Sequence, residues 1–368
     1  MTLEELDLYL TDRCNLNCDF CSVQTNETQN EISFNKITDI ILEAKKFGLE
    51  ELHLTGGEPT LRNDLEDIIR FAILQGLNVR LITNGTLLNK KRLEQLTNCG
   101  LKSIMISLDG MEKYHDSVRG NGTYCKTLQT IFDALALGMI VRVNSVAWSN
   151  NRDEIIQLSK FLNDIGVQVY SVFLGSPLGY AKKYKENIMN PIAWKKFCLS
   201  LQEIVVSQNY KTKIVVEKGF LYPNDEQTIN ISHLHGRGRG CYNITNYYDY
   251  LLIRSNGNVY PCVFFSNDAQ PIGNIYDQTL ENILHSFKKN DFYEKIGQHP
   301  TECEKCEKVK LCNGGCRGYA KLYNENWTVK DPRCELRDSP GIIPLCPIVK
   351  HNLNEDQLGG SSEQVLRK

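Results

Sequence analysis

The sequence lacks the features that would place the protein in a membrane, on nucleic acid or in an oxidising compartment. No apolar run approaches the roughly 18 residues of a transmembrane helix. Lys and Arg number 42 against 44 Asp and Glu, so no excess of positive charge attracts nucleic acid or an anionic membrane. Residues 1–5 have neither the basic nor the apolar segment of a secretory signal, and we therefore expect a cytoplasmic protein.

Fourteen cysteines stand out against this ordinary background. They are too sparse for a disulfide framework in a chain of 368 residues, so we expect them to bind metal or to take part in chemistry. Three lie near the start, three are scattered through the middle, and eight lie from Cys241 onward. The central three, Cys99, Cys125 and Cys198, are expected to be structural. This distribution predicts two metal-bearing regions joined by an ordinary fold.

The first 175 residues alternate between strand and helix patterns. Leu6, Leu8 and Leu10 alternate with polar and aromatic residues in a first strand, and a helix with a 3.6-residue period follows at 34–46. Further strands are predicted at 51–55, 78–83, 103–108, 141–146 and 167–174, and further helices at 65–75 and 154–165. Six βα repeats predict an α/β fold, a partial (β/α)6 TIM-like barrel with its chemistry at the C-terminal strand ends.

The pattern changes after residue 176. A helix is predicted from Pro191 to about residue 206, and two strands at 248–254 and 258–264 flank a Ser-Asn-Gly turn that is typical of a hairpin. Beyond Cys303 the sequence reads as short loops between cysteines. We therefore expect a core at residues 1–215, a small cysteine-rich domain at 216–350 and a polar, disordered tail at 351–368.

Cys14, Cys18 and Cys21 have the spacing C-x3-C-x2-C. Three thiolates from one loop can hold three irons of a cubic 4Fe–4S cluster and leave the fourth iron open to a substrate or cofactor. The same residues can instead form a zinc knuckle, for which His53 is the near candidate as fourth ligand, or be buried without a metal. The spacing favours the cluster.

This triad, with Phe20 before its third cysteine, resembles the signature of the radical SAM superfamily. The resemblance implies that S-adenosylmethionine (SAM) chelates the open iron. It also implies that reductive cleavage of SAM yields a 5′-deoxyadenosyl radical, which abstracts a hydrogen from the substrate. The reducing electron would come from a flavodoxin- or ferredoxin-type donor.

Further parts of this resemblance fall at predicted strand ends. Gly56-Gly57-Glu58-Pro59 looks like the family's GGEP motif, in which the glycines allow close backbone approach and the glutamate accepts a hydrogen bond from the SAM ammonium. The segments 107–110 and 115–120 are similar to SxDG and HDxxRG, whose Ser and Arg hold the SAM carboxylate. The SAM contacts that the resemblance implies are Phe20, Gly56, Gly57, Glu58, Ser107, Arg119 and Asn144.

The C-terminal cysteines follow the order C-x15-G-x4-C, then C-x2-C-x5-C-x3-C, then x17 and a last cysteine. Short pairs of this kind are often zinc ribbons, but the seven together resemble the SPASM-domain pattern. The resemblance implies two auxiliary 4Fe–4S clusters, an inner and an outer one. The inner ligands would be Cys241, Cys262 and Cys316, and the outer ligands Cys303, Cys306, Cys312 and Cys334.

The inner cluster is one thiolate short of a complete ligand set. Sulfatase-maturing relatives carry an extra cysteine soon after the first, whereas residues 242–247 of this chain contain none. The inner cluster therefore has an open iron or takes a further ligand such as Cys346. Those relatives also place an aspartate directly after the G-x4-C cysteine. Here that residue is Val263, which weighs against a formylglycine-generating enzyme.

These patterns predict a radical SAM oxidoreductase or peptide-modifying enzyme with SAM and three 4Fe–4S clusters. SPASM members most often crosslink, epimerise or oxidise ribosomally made peptides or proteins, so we expect a peptide or protein substrate. Since the first strand begins almost at Met1, we expect a separate carrier protein, or the barrel alone, to hold it. The alternatives are a radical dehydrogenase or cofactor-biosynthesis enzyme with a small substrate, and a zinc-binding adaptor without catalysis.

Overall fold

Alternating apolar residues define the strands of the first part of the chain. The computed structural model describes residues 3–23, 30–217, 250–268, 270–287, 289–307, 309, 313–332 and 334. On the first strand, Leu6 and Leu8 are fully buried on one face, while Asp7 and Tyr9 on the other face line a cavity. The first seven strands are β1 (Glu5–Tyr9), β2 (Glu51–Thr55), β3 (Asn78–Thr83), β4 (Ser103–Ser107), β5 (Ile140–Ala147), β6 (Val169–Leu174) and β7 (Lys213–Glu217).

Amphipathic helices connect these strands and cover the apolar face of the sheet. The first begins where the Ser33 side chain accepts a hydrogen bond from the Lys36 amide (3.3 Å), and it buries Ile37, Ile40 and Ile41. The helices are α1 (Phe34–Lys46), α2 (Leu65–Leu74), α3 (Lys90–Asn98), α4 (Glu112–Arg119), α5 (Thr123–Ala136), α6 (Arg152–Asp164) and α7 (Pro191–Ser207). Two 3-10 helices lie at Pro59–Leu61 and Gly179–Asn187.

The C-terminal part adds a hairpin to the same sheet and then a series of short helices. Its elements are β8 (Tyr250–Ile253), β9 (Asn258–Tyr260), α8 (Phe265–Asp268), β10 (Gly273–Asn274), α9 (Leu280–Phe287), α10 (Asp291–Gly297), a 3-10 helix at Thr301–Cys303, and α11 (Arg317–Asn324). β8 and β9 pair antiparallel across the predicted turn, and β8 pairs parallel with β1, Leu6 opposite Leu251.

The sheet of the described residues runs in the order β10-β9-β8-β1-β2-β3-β4-β5-β6-β7. In this order, each strand from β8 onward is parallel to the next. The predicted α/β fold with strand–helix repeats is confirmed. The strand β7, the parallel pairing of β8 with β1 and the short elements α8, β10, α9 and α10 were not predicted. The helix α11 lies beyond Cys303, where only short loops were expected. Among the described helices, none has the length and apolar character needed to cross a membrane.

The predicted domain limits at residues 215, 216 and 350 stay predictions. The tail at 351–368 and residues 218–249 before β8 lie outside the described residues.

Candidate functional site

The loop after β1 carries the cysteine triad to the mouth of the barrel. Cys14, Cys18 and Cys21 line a cavity of about 350 Å³ that extends down the inward face of the strands. Most of the other residues predicted to contact SAM line the same cavity, although they come from four separate strand ends. They are Phe20, Gly56, Gly57, Ser107, Arg119 and Asn144. The fold therefore brings these residues together, while their individual contacts with SAM stay predictions.

The Gly-Gly turn after β2 is packed against the backbone of the triad loop. Gly57 donates its amide to the Thr11 carbonyl (2.8 Å), and Glu58 donates its amide to the Arg13 carbonyl (2.7 Å). A Cβ atom on Gly57 would lie 2.3 Å from the Arg13 carbonyl oxygen, and one on Gly56 would lie 2.4 Å from that of Thr11. The glycines are thus needed for the approach of two loops of this chain, in addition to any approach to a cofactor.

Glu58 is fully buried and its carboxylate is used within the protein. Oε1 accepts hydrogen bonds from the Thr60 amide (3.1 Å), the Thr60 hydroxyl (2.6 Å) and the Thr83 hydroxyl (2.7 Å), and Oε2 accepts one from the Asn84 amide (2.8 Å). It does not appear among the residues that line the cavity. Its contact with the SAM ammonium stays a prediction, and its observed role is to join the ends of β2 and β3.

Arg119 is fixed at the cavity wall by a buried carboxylate. Its Nε donates to Asp109 Oδ2, and Asp109 Oδ1 accepts the Val146 amide (2.9 Å). Burial acts to lower the pKa of Arg119, but the Asp109 carboxylate outweighs it and raises the pKa above its usual range. The guanidinium, which also lies 5.8 Å from the Phe20 ring, therefore keeps its charge and can bind an anionic group.

Ser107 and Asn144 are opposite each other on β4 and β5, and the Ser107 hydroxyl lies 3.4 Å from Asn144 Oδ1. Both side chains are inward-facing at the C-terminal end of the sheet. Hydroxyl and amide groups in this position can hydrogen-bond a carboxylate and a ribose. The parallel register places Asn144 opposite Ser107, which is the last residue of β4, while β5 continues to Ala147.

An aromatic cluster around Phe20 was not predicted from the sequence. Trp148 lies just after β5, with its ring centroid 6.1 Å from that of Phe20 and 5.4 Å from that of Tyr184. The segment after β6 also bonds the triad loop, since Tyr180 donates its amide to the Cys21 carbonyl (2.9 Å) and Tyr184 its hydroxyl to Asp19 (3.0 Å). The only feature of the sequence that could have indicated this cluster is the aromatic residue Trp148, directly after a strand.

The three thiols suit a metal cluster better than one metal ion. Burial raises the pKa of Cys14 to about 11 and also raises those of Cys18 and Cys21, so as free thiols they stay protonated. A bound metal would remove these protons. Thiolates around one zinc ion lie about 4 Å apart. Among the described residues, the only three ligand atoms within 4.8 Å of one another belong to Glu5, Asp7 and His53.

His53, the candidate fourth zinc ligand, uses both ring nitrogens elsewhere. Nδ1 lies 2.8 Å from Asp7 Oδ1, and Nε2 lies 2.7 Å from Arg80 Nη1. In a cubic cluster each thiolate binds a different iron, so the sulfur atoms need not lie within about 4 Å of one another as they do around zinc. The spacing of the three thiols therefore favours the cluster over a zinc ion.

Five of the SPASM-type cysteines lie in the described residues, and all five are free of disulfides. Cys303 is buried, whereas Cys262, Cys306, Cys316 and Cys334 are partly exposed. Cys241, Cys312 and the unassigned Cys346 lie outside the described residues. The grouping of these cysteines into an inner and an outer cluster therefore stays a prediction.

Two buried side chains organise the described loops around these cysteines. Asp331 Oδ2 accepts the Cys316 amide (2.8 Å), and the Asp331 carbonyl accepts the Cys334 amide (3.0 Å). Arg317 is fully buried and donates to five backbone carbonyls of the described residues. Its acceptors are Ile296, Gln298, Asn313, Gly314 and Val329.

Comparisons with known proteins agree with this arrangement. Residues 8–162 match the family described as the radical SAM superfamily, and residues 241–307 match an iron–sulfur cluster-binding domain, SPASM. The chain is 27% identical over 361 residues to a PqqA peptide cyclase of Rhizobium meliloti, with 91% of each chain covered. It is 28% identical over 344 residues to an AdoMet-dependent heme synthase of Methanosarcina barkeri, covering 89% of this chain and 95% of the other.

A solved structure has the same fold. Streptococcus suis SuiB, crystallised with the precursor peptide SuiA, superposes with a TM-score of 0.73 at 20% identity, covering 91% of this chain and 76% of SuiB. The cysteine spacing, the shared cavity and the two matching domains agree with one another. The chain therefore belongs to the radical SAM superfamily and carries a C-terminal SPASM domain, so SAM and 4Fe–4S clusters are its cofactors.

Proposed function

We propose that this enzyme modifies a ribosomally made peptide or protein, and that Cys14, Cys18 and Cys21 hold its SAM-binding cluster. The observation that carries the proposal is the convergence of the three thiols and six predicted SAM contacts on one cavity. The substrate class is supported by the full-length likeness to a peptide cyclase. When bound, the cluster and SAM supply one-electron chemistry that removes a hydrogen atom from an unactivated carbon.

The chain's own residues bind and orient the cofactor in this proposal. Arg119, held by Asp109, would grip the SAM carboxylate together with Ser107, and Asn144 would contact the nucleoside. Phe20 and Trp148 line one side of the cavity, with Tyr184 packed against them, and in this proposal their rings exclude water from that side.

The full proposal includes three 4Fe–4S clusters, the two auxiliary ones being held by the C-terminal cysteines. It also includes a flavodoxin- or ferredoxin-type electron donor and a separate carrier protein for the peptide. Auxiliary clusters would carry an electron away from an oxidised substrate or bind one of its groups. About twelve irons per chain are expected after anaerobic reconstitution.

The test replaces Cys14, Cys18 and Cys21 together by Ala. We expect this variant to lose reductive SAM cleavage completely and to keep about eight irons, because only one of the three clusters loses its ligands. Iron analysis and quantification of 5′-deoxyadenosine measure the two outcomes. The matched control replaces Cys99, Cys125 and Cys198 by Ala and should keep all irons and SAM cleavage. SAM cleavage by the first variant, or stoichiometric zinc in the wild type, would refute the proposal.

A small-molecule substrate is the second candidate, because the heme synthase relative matches over the same length at similar identity. Co-expression with a short peptide encoded beside the enzyme separates the two. A mass change in that peptide, seen by mass spectrometry and dependent on the cysteine triad, supports the peptide substrate. An unchanged peptide in cells where the enzyme cleaves SAM supports the small molecule.

A further inference from the structure

The deep end of the cavity carries a hydrogen-bonded network across four neighbouring strands. Tyr250 on β8 donates its hydroxyl to Asp7 Oδ2 (2.7 Å), and Asp7 Oδ1 lies 2.8 Å from His53 Nδ1. His53 Nε2 in turn lies 2.7 Å from Arg80 Nη1 on β3. All four residues line the cavity, and none is a predicted contact of SAM. We call these four residues the barrel-floor network.

The protons of this network follow from its partners. A guanidinium only donates, so His53 Nε2 must accept from Arg80, and the ring proton lies on Nδ1 and is donated to Asp7. Burial, and then the charge of Arg80, lower the pKa of His53, which is therefore neutral. Asp7 accepts from both His53 and Tyr250, so each oxygen of this carboxylate is engaged in a hydrogen bond within the protein.

Arg80 retains a donor that the described residues do not satisfy. Its Nε is buried and has no hydrogen-bond partner among them, and the same is true of the Oγ of Ser103, its register neighbour on β4. The carboxylate of Glu51 lies 3.6 Å from Arg80 Nη2, which is longer than a hydrogen bond. An unsatisfied buried donor costs about 1–3 kcal/mol, and more when it is charged. The rest of the Arg80 side chain is partly exposed and lines the cavity, where a ligand acceptor can reach the guanidinium.

Arg142 adds a second cation to the same end of the cavity. It lies on β5 opposite Met105, whereas Arg80 lies opposite Ser103, so the two arginines are two strand spacings (about 10 Å) apart across the sheet and two residues (about 7 Å) apart along it. Side chains of this length can converge on one group between them. Asp7 is the only carboxylate that lines the cavity in the described part of the chain. Glu5 and Glu51 approach the network from the closed end of the strands, next to His53 and Arg80.

We propose that Arg80 and Arg142, which both line the cavity, form a subsite for a carboxylate of the substrate. The proposal rests on the proposed peptide substrate and narrows it to one that presents an acidic side chain or a C-terminal carboxylate to the barrel floor. The neutral His53 and the engaged Asp7 hold Arg80 in place. Arginine suits this task because its planar fork binds a carboxylate through two parallel hydrogen bonds.

The test measures binding to the reconstituted enzyme saturated with SAM, so that the SAM carboxylate already occupies its own site. Three probes are titrated anaerobically by calorimetry: N-acetylglutamate α-amide, N-acetylalanine and the uncharged N-acetylglutamine α-amide. The first carries only a side-chain carboxylate and the second only a C-terminal one, so they separate the two sources. We expect saturable binding of at least one carboxylate probe, about tenfold or more tighter than the uncharged probe.

The variants Arg80→Gln and Arg142→Gln should each weaken that binding about tenfold or more. Arg80→Lys, which keeps the charge, should retain part of it. The matched control is Arg70→Gln, which removes an exposed arginine paired with Asp67 and should bind like the wild type. Melting temperatures and iron content of each variant show whether a loss of binding reflects misfolding.

Equal binding of charged and uncharged probes, no saturable binding at millimolar concentrations, or wild-type binding by both Gln variants would overturn the subsite. SAM cleavage is measured in the same samples. If the wild-type enzyme cleaves SAM but does not bind the carboxylate probes more tightly than the uncharged probe, the subsite is refuted and the proposed function is not. If the wild-type enzyme does not cleave SAM, the proposed function is refuted.

Discussion

The two cysteine-bearing regions are held in place by different kinds of structure. In the barrel, regular parallel strands and backbone hydrogen bonds, such as that of Gly57 with Thr11, position the triad loop. In the C-terminal region, the described cysteines lie on short helices and loops that the buried Arg317 and Asp331 hold together. The first site depends on backbone register, and the second depends on two side chains. The two sites should therefore fail independently.

The largest expected effect is that of Arg317→Met. The change removes the Arg317 donor from five backbone carbonyls. Three of these hydrogen bonds are buried and two are partly buried, and the Gly314 carbonyl still accepts the Asp331 amide. At about 1 kcal/mol for each buried bond, we expect the C-terminal region to lose at least about 3 kcal/mol of stability. About eight of about twelve irons should be lost while the triad cluster stays. Iron analysis and electron paramagnetic resonance of the reduced protein measure this.

Lys321→Met, on the same helix, is the control, because Lys321 makes an exposed bond to Glu325 and its loss should leave the iron content unchanged. Loss of the triad cluster together with the others in Arg317→Met would show that the two regions are not independent.

Gly57→Ala tests the barrel side of the comparison. Its Cβ would meet the Arg13 carbonyl oxygen at 2.3 Å, so the triad loop must shift. We expect SAM cleavage to fall by at least about 100-fold, with the auxiliary clusters retained. Rates of 5′-deoxyadenosine formation and the iron content are the measurements. Gly48→Ala is the control, since a Cβ there meets nothing within 4 Å and only its positive φ is strained. A Gly57→Ala enzyme as active as Gly48→Ala would contradict this account.

The smallest expected effect concerns acid. His115 is buried beside the triad site, where burial, and then Arg119, lower its pKa from 6.5 to about 4. Between about pH 4 and pH 6.5, His115 binds a proton in the unfolded chain but not in the folded one. The free energy of unfolding is therefore not reduced by His115 above pH 6.5, and it falls as the pH drops below that value. We expect His115 to account for a loss of about 1 kcal/mol between pH 7 and 5.5.

Chemical unfolding of the wild type and His115→Gln at the two pH values measures this difference, and the variant should lose less stability. The exposed His285 on α9 provides the control, and His285→Gln should keep the wild-type pH dependence. If His115→Gln and the wild type lose the same free energy of unfolding, His115 does not sense acid.

The barrel was more predictable than its surroundings for a physical reason. Strand alternation and helix period follow from burial on one face, and both are visible in the sequence, so α1 and β3 begin and end where the pattern predicts. The pairing of Ser107 with Asn144 follows in turn from the parallel register.

Hydrogen bonds between residues that are distant in the sequence produce no periodic pattern of this kind. The periodicity of apolar residues does not indicate that Arg317 donates to buried backbone carbonyls. Nor does it indicate that the Glu58 carboxylate accepts hydrogen bonds from Thr60 and Thr83. The barrel-floor network could not be predicted for the same reason. The sequence shows that polar and apolar residues alternate on each strand, but it does not show which polar side chains on neighbouring strands form hydrogen bonds with one another.

The pairing of β8 with β1 has a consequence for the synthesis of the chain. Tyr250 faces Glu5 in the finished sheet, yet it is made about 245 residues later. At about 5–20 residues per second, the ribosome needs roughly 12–50 seconds to produce it. Throughout that time β1 is an edge strand with open hydrogen-bonding groups, although it ends as an interior one. The triad loop, to which our proposal assigns the SAM-binding cluster, is thus exposed on the nascent chain well before β8 covers the edge beside it.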